Sequence, residues 1–399
     1  MCRFLDLTPG LPGLVGALLL LTLGGGAQTT DFDAEYVQLK RGRTYSSTVE
    51  TGALRRRHGP YAYWLLIPKS YDPAKRYQVR FQLHGGVMRE DSSLRGDGTV
   101  RLAGAEQIYI MPSGWSEAPW WSDRQVGALR AILEDVKRDY NVDENRVVLA
   151  GVSDGGTGAF YIAMRDTTPY ASFLPLNAYV LVLRNPGLEI RSSLFLNNLR
   201  NKPFYMVNGG KDPLYPMEAV EPSIGHLDRG GVRIVYRPRP DAGHDTNWWP
   251  ELKDDFETFV RTHPRVPLPD SLTWEVSETR TWNRAHWLIV DSLGSTPADA
   301  KFEDLNHAGG QAIFNNGKSG RVDLERDRNT ITATTRGVKE FTLLLSPDQF
   351  DFSRNIVVRV NGRVAFDAKV EKNVETLRKW AARDNDRTML FGAELKIRP

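Results

Sequence analysis

The sequence predicts an α/β protein, a mostly parallel sheet flanked by helices, followed by a smaller β-rich domain of sandwich type. Three observations carry this. Residues 60–263 alternate between short apolar runs and stretches of helical period, the pattern of a parallel sheet covered by helices. Near residue 264 a run with three prolines, His263-Pro-Arg-Val-Pro-Leu-Pro-Asp270, reads as a stiff linker. Beyond it helical periodicity nearly disappears. The expected division is a targeting segment at 1–27, a first domain at 28–263, the linker at 264–269 and a β-rich domain at 270–399.

Expected strands in the first domain are Tyr61–Ile67, Gln78–Leu83, Gln107–Met111, Arg146–Gly151, Pro203–Val207 and Val232–Tyr236. Several run apolar without alternation, as strands buried on both faces do. Arg124–Tyr140 places Val126, Leu129, Ile132, Leu133 and Val136 on one helical stripe. Asp154–Arg165, Met217–Arg229 and Asp254–Thr262 also read as helices. In the second domain Leu272–Val276, His286–Val290, Phe341–Leu345, Asn355–Val360 and Ala393–Ile397 read as strands, and Val374–Arg383 as a helix. Asn361-Gly362 between two apolar runs signals a two-residue hairpin turn.

Composition narrows the classes. The 399 residues are 41% hydrophobic and 25% charged, which excludes wholesale disorder and a multi-span membrane protein. A net charge of +3 gives no reason to expect nucleic acid as a partner. Residues 1–27 carry Arg3, an apolar run from Leu11 to Leu23 and then Gly-Gly-Gly-Ala27, the layout of a secretory signal peptide. A retained anchor is the other reading, but the run is short for a span and contains Pro12, Gly13 and Gly16. The expected location is secreted or periplasmic, with no stable membrane insertion. The single cysteine, Cys2, would leave with the signal segment, which removes disulfides and a thiol nucleophile.

The chemistry is concentrated in Val147-Val-Leu-Ala-Gly-Val-Ser-Asp-Gly-Gly-Thr-Gly-Ala159. Gly151, Ser153 and Gly155 form G-x-S-x-G between an apolar strand and a helix, the context a nucleophile elbow requires. The pentapeptide alone arises by chance in about one chain in eight of this size, so the context carries the weight. A serine hydroxyl needs a base, and the base an orienting carboxylate. Asp212 follows the strand at 203–207, and His244 follows the strand at 232–236. Ser, Asp, His is the expected order, and both side chains fall at the sheet edge that carries the elbow. Asp241, Asp245 and Asp228 are alternative acids. The other histidines, at 58, 84, 226, 263, 286 and 307, lack this order and placement. His84-Gly85-Gly86 closes an early strand; backbone N–H of Gly86 or Val87, with that of Asp154, would form an oxyanion hole. His84 itself reads as a loop-shaping residue.

On His84-Gly-Gly, Tyr140-Asn-Val-Asp-Glu-Asn-Arg-Val-Val-Leu-Ala-Gly-Val-Ser153-Asp-Gly-Gly, Asp212 and His244, residues 60–263 resemble the α/β-hydrolases. The resemblance is to their secreted esterase branch, with polyhydroxyalkanoate depolymerase-like and feruloyl-esterase-like proteins. It covers about half the chain. It implies ester hydrolysis through a serine acyl-enzyme with no cofactor. The sequence departs from that branch in lacking disulfides and in having Asp154 beside the nucleophile, a carboxylate that would disfavour anionic substrates.

Trp115, Trp120, Trp121, Trp248 and Trp249 flank the expected active-site loops. They read either as core or as walls of a cleft for a sugar, an aromatic acyl group or a polyester segment. The expected partner is thus an ester, polymeric or carbohydrate-linked. No metal motif appears, and Asn316-Gly-Lys-Ser319 lacks both the first glycine and the strand-to-helix context of a phosphate loop. Two other functions compete: a serine peptidase of the prolyl-oligopeptidase type, and a non-catalytic protein that binds a polysaccharide or partner. Only about 30 residues separate the signal segment from Tyr61, too few for the propeller of that peptidase family.

Overall fold

The computed structural model describes residues 31–87, 102–190, 192–295, 304–307, 310–313 and 317–399. The signal segment expected at 1–27, with Cys2, lies outside the described residues. Among those residues no helix is long and apolar enough to cross a membrane.

The first domain is built on eight strands: β1 (Gly52–His58), β2 (Tyr61–Ile67), β3 (Tyr77–Leu83), β4 (Ile108–Pro112), β5 (Val142–Val152), β6 (Ser172–Leu176), β7 (Phe204–Gly209) and β8 (Ile234–Arg239). Their order in the sheet is β1-β2-β4-β3-β5-β6-β7-β8. β1 and β2 pair antiparallel, β2 joins β4 antiparallel, and every pairing from β4 to β8 is parallel. That order and polarity is the α/β-hydrolase sheet. Successive residues of β5 serve opposite faces, as the pleat requires. Val147 and Leu149 pack with α2 (Asp123–Asp139), α3 (Asp154–Arg165) and α4 (Met217–Arg229). Val148 and Ala150 pack with α5 (Trp249–Thr262). The five stripe residues expected on α2 are all buried, and Ser122 caps the helix by accepting from Gln125 N–H.

The second domain is two sheets packed face to face. One contains β9 (Ser271–Val276), β14 (Gly320–Asp327), β15 (Thr330–Arg336), β17 (Ile356–Val360) and β18 (Arg363–Ala368). The other contains β10 (Arg284–Ala285), β11 (Leu288–Leu293), β16 (Val338–Leu345) and β19 (Ala393–Ile397). Trp274, Trp287, Ile331, Phe341 and Val358 fill the space between them. At the expected hairpin turn Asn361 (φ +49°) and Gly362 (φ +82°) are both left-handed, the geometry a type I′ turn demands. A separate hairpin, β12 (Asp304–His307) with β13 (Gly310–Ile313), lies against α4 and the 3-10 turn Val180–Arg184 of the first domain.

Two features bear on how the parts join, the first of them at the segment expected as a stiff linker. Residues 263–270 are packed in, not extended between two bodies. Arg265 is buried, its backbone N–H bonds Asn145 O at 2.8 Å, and its guanidinium meets Asp386 at 2.7 Å. Arg387 likewise grips Glu144 and Val142 O on β5. The second feature is α1 (Phe32–Arg41), which packs not on the sheet it precedes but on α6 (Val374–Asp384). Tyr36 sits with Leu377 and Leu390, and Glu35 pairs with Arg378 at 2.7 Å.

Candidate active site

The elbow is forced by close packing. Ser153 sits between β5 and α3 with φ +56° and ψ −118°, a region that side-chain-bearing residues rarely occupy. A Cβ on Gly151 would overlap the backbone of Gly155, and one on Gly155 would overlap Leu83 O of β3. Both positions therefore require glycine, and the turn projects the serine hydroxyl at the carboxyl edge of the sheet.

The structure brings Ser153, His244 and Asp212 together. Ser153 Oγ lies 2.8 Å from His244 Nε2, and His244 Nδ1 lies 2.6 Å from Asp212 Oδ2. Asp212 is buried, and its Oδ1 accepts from Leu214 N–H (2.8 Å) and Tyr215 N–H (3.0 Å). These two bonds fix the carboxylate so that Oδ2 is left for the imidazole. The alternative acids do other work: Asp241 pairs with Lys211, and Asp245 accepts from Asn247 N–H.

The oxyanion loop differs in part from expectation. Gly86 has φ +73°, which needs glycine. Val87 N–H donates to Asp154 Oδ2 at 2.9 Å, so it is engaged by a side chain and not free for a ligand oxygen. Among the described residues, the N–H groups of Gly86 and Asp154 have no partner, which leaves these two as donors. The Asp154 carboxylate thus ties the loop to the elbow, a role that no motif in the chain signals. Asp154→Ala should release the loop and lower kcat by about tenfold, the worth of one charge-assisted bond. Asp154→Asn keeps an acceptor but removes the charge. It should raise kcat/KM for carboxylate-bearing esters relative to neutral ones by about three- to tenfold, measured by steady-state kinetics on matched pairs.

His84 shapes the same loop. Its Nδ1 donates to Gly85 O (2.8 Å) and its Nε2 accepts from Gly114 N–H (3.1 Å), so both bonds require the neutral ring. Burial pushes its pKa below the usual 6.5, against the opposing pull of Gly85 O and Asp154. A histidine with a depressed folded pKa contributes stability that is complete above pH 6.5 and falls as pH drops below it. His84→Gln should flatten that part of the pH–stability curve, read by urea unfolding between pH 7.5 and 5.

The tryptophans correct the expected cleft. Trp120 is fully buried, donates Nε1–H to His84 O at 2.8 Å, and fills the space left by Gly114 and Gly158. Trp121 and Trp248 are also buried. Trp115 packs on Tyr61, and Trp249 packs on Phe256 while bonding Ala103 O. These rings hold the framework because the loops that carry them fold back onto the sheet. The aromatic group beside the base is instead Tyr215, edge-on to His244 at 5.4 Å, with Tyr179 at 6.3 Å from Tyr215 and exposed Leu214 next to it. Tyr215 stands three residues after Asp212, and that spacing was the available sequence signal. Among the described residues no group of three His, Cys, Asp or Glu is placed to hold a metal.

Comparison with known proteins finds relatives named as esterases. The chain is 27% identical over 197 residues to a probable feruloyl esterase C from Aspergillus niger, covering 47% of this chain and 67% of that protein. It is 26% identical over 123 residues to acyl-protein thioesterase 1 from Gibberella zeae, covering 31% of this chain and half of the thioesterase. The chain has the α/β-hydrolase fold. No family model matches it. A solved thermostable esterase is similar to this chain over 53% of it and 63% of its own length, at 20% identity and a TM-score of 0.40.

Proposed function

We propose that this α/β-hydrolase is a serine esterase of the secreted branch, cleaving carboxylic esters through an acyl-enzyme. The observation that carries the reading is the continuous chain from Ser153 Oγ through His244 to Asp212, set beside two unpartnered backbone N–H groups. Ser153 Oγ bonds to the ester carbonyl carbon while its proton passes to His244 Nε2. The carbonyl oxygen becomes an oxyanion, met by the N–H groups of Gly86 and Asp154. Collapse breaks the carbon–oxygen bond to the alcohol, which leaves with the proton from Nε2. Water, deprotonated by the same nitrogen, then attacks the acyl-serine and releases the acid. Asp212 Oδ2 accepts from Nδ1–H throughout and stabilises the transient imidazolium.

The substrate class follows from Tyr215, Tyr179 and Leu214. They offer an aromatic and apolar wall to an acyl group, and the carboxylate of Asp154 opposes a charged one. A neutral ester with an aromatic acyl group, carried on a carbohydrate or polymer, fits both. The relatives named as esterases support the same class. Export is part of the proposal and rests on the sequence of residues 1–27.

The test is a substrate panel of nitrophenyl acetate, feruloyl esters of sugars, acetylated sugars and hydroxyalkanoate oligomers, with fluorophosphonate labelling of Ser153. Ester turnover and labelling are expected. Cleavage of peptide amides with no ester turnover would favour the peptidase, and absence of both would leave a binding protein.

A further inference from the structure

A second cleft, of about 670 Å³, opens at the other end of the sheet. Ala171 precedes β6, Pro203 precedes β7 and Gly231 precedes β8, so the cleft lies at the amino edge while Ser153 stands at the carboxyl edge. Its remaining walls are the packed junction segment and β9 of the second domain.

The lining is cationic. Lys202, Arg200, Arg233 and Arg265 face one carboxylate, Asp270, and that carboxylate is engaged by Arg326. Arg265 is committed to Asp386, Thr168 O and Asn145, and contributes only its field. Lys202 is different. It is only 4% exposed, and among the described residues its ammonium has no hydrogen-bond or ion-pair partner. Arg233, exposed at the rim, also has no side-chain partner among them. His286, buried beside them, donates Nδ1–H to Pro267 O; burial, with Lys202 and Arg265, pushes its pKa well below the usual 6.5 against the pull of that bond.

A buried ammonium without a counter-charge is costly, and such groups in folded proteins are paired or shift toward neutrality. Burial, with Arg265 and Arg233 acting in the same direction, holds the Lys202 pKa well below its usual value, against Asp166 and Asp386. The position would be better filled by an apolar side chain if nothing bound there. We infer that this cleft binds a tetrahedral dianion, sulfate or phosphate, free or as an ester group on a saccharide, with Lys202 as the buried contact and Arg233 as the rim contact. A dianion carries charge enough both to hold Lys202 protonated and to meet Arg233, which a carboxylate does not. Because the walls come from both domains and the segment between them, the anion would fasten the junction.

The test uses the full chain, titrated calorimetrically with inorganic sulfate, inorganic phosphate and a sulfated or phosphorylated oligosaccharide, against sodium chloride at equal ionic strength. Saturable binding with a raised unfolding temperature is expected for at least one of these. Binding of the inorganic ions identifies a free anion as the ligand; binding of the saccharide alone identifies an ester group. Lys202→Met should weaken binding by about ten- to a hundredfold, the worth of a charge-assisted hydrogen bond. Arg233→Gln, at an exposed position that cannot disturb the core, should weaken it less. Binding of none of the probes overturns the inference. So does equal affinity in Lys202→Met, or, should that variant not fold, in Arg233→Gln.

Discussion

Ser153→Ala should lower ester turnover by about 10⁴-fold or more, since removing the nucleophile of such a unit costs nearly the whole benefit of the three residues. The measurement is kcat on a nitrophenyl ester, with fluorophosphonate labelling as a second readout; equal turnover in the two proteins would exclude the assignment. Ser153→Gly should be equally inactive but more stable than the parent, by about 1 kcal/mol. The backbone at φ +56° and ψ −118° strains any residue with a Cβ by about 1–3 kcal/mol, and glycine's greater freedom in the unfolded chain offsets part of the relief. Stability and activity therefore pull apart at a single position. A merely structural serine, acting as a helix cap, would show the opposite sign, because losing a cap destabilises. Ser153 makes no side-chain cap bond to α3.

Asp386→Asn should destabilise the protein by about 3–5 kcal/mol, because it leaves the buried Arg265 guanidinium without its counter-charge. Denaturant unfolding measures this directly. Replacing both partners by apolar residues, Arg265→Met with Asp386→Leu, should recover much of the loss, since an ion pair taken from water costs nearly what it returns. A double variant as unstable as the single one would show that the neighbouring bonds to Asn145 and Thr388 matter more than the charge. The pair also sets an acid limit. Burial alone would raise the Asp386 pKa, but Arg265 and then Lys137 bring it down to about 2 from the usual 3.8. A carboxylate with a depressed folded pKa contributes stability that is complete above the unfolded value and is lost as pH falls through the folded one. The contribution should therefore disappear between about pH 4 and pH 2, and Asp386→Asn should remove that slope.

The parts of this molecule that were legible in the sequence are those where local pattern and tertiary environment agree. β2 is found at its expected bounds because Tyr61–Ile67 is apolar between turn residues, and α2 because its stripe meets one face of the sheet. Ser153, Asp212 and His244 were legible because each follows a strand, and parallel strands deliver their carboxyl ends to one edge. Elements that face water on one side were harder. β1 was missed because Arg55-Arg56-Arg57-His58 reads as a charge run; it is an edge strand, where charges discourage pairing with another chain. β14 and β15 alternate buried Val322, Leu324, Ile331 and Ala333 with charged or hydroxyl-bearing residues, which hid them among loops. β6 contains Pro175, which argues locally against a strand, yet it lies inside the sheet between β5 and β7. At the site, the loop tie from Asp154 depends on a contact across loops that no spacing in the chain encodes.

The docking of α1 on α6 has a consequence in time. Glu35 and Arg378 are 343 positions apart in the chain. A ten-residue helix is too short to hold its shape alone in water. At about 5–20 residues per second of synthesis, residues 32–41 emerge on the order of 20–70 s before the surface that orders them exists. Throughout that interval the catalytic sheet can assemble behind an unfastened leading segment. The clasp closes last, so a chain arrested before residue 374 should carry its leading segment open and be cut there first by a protease.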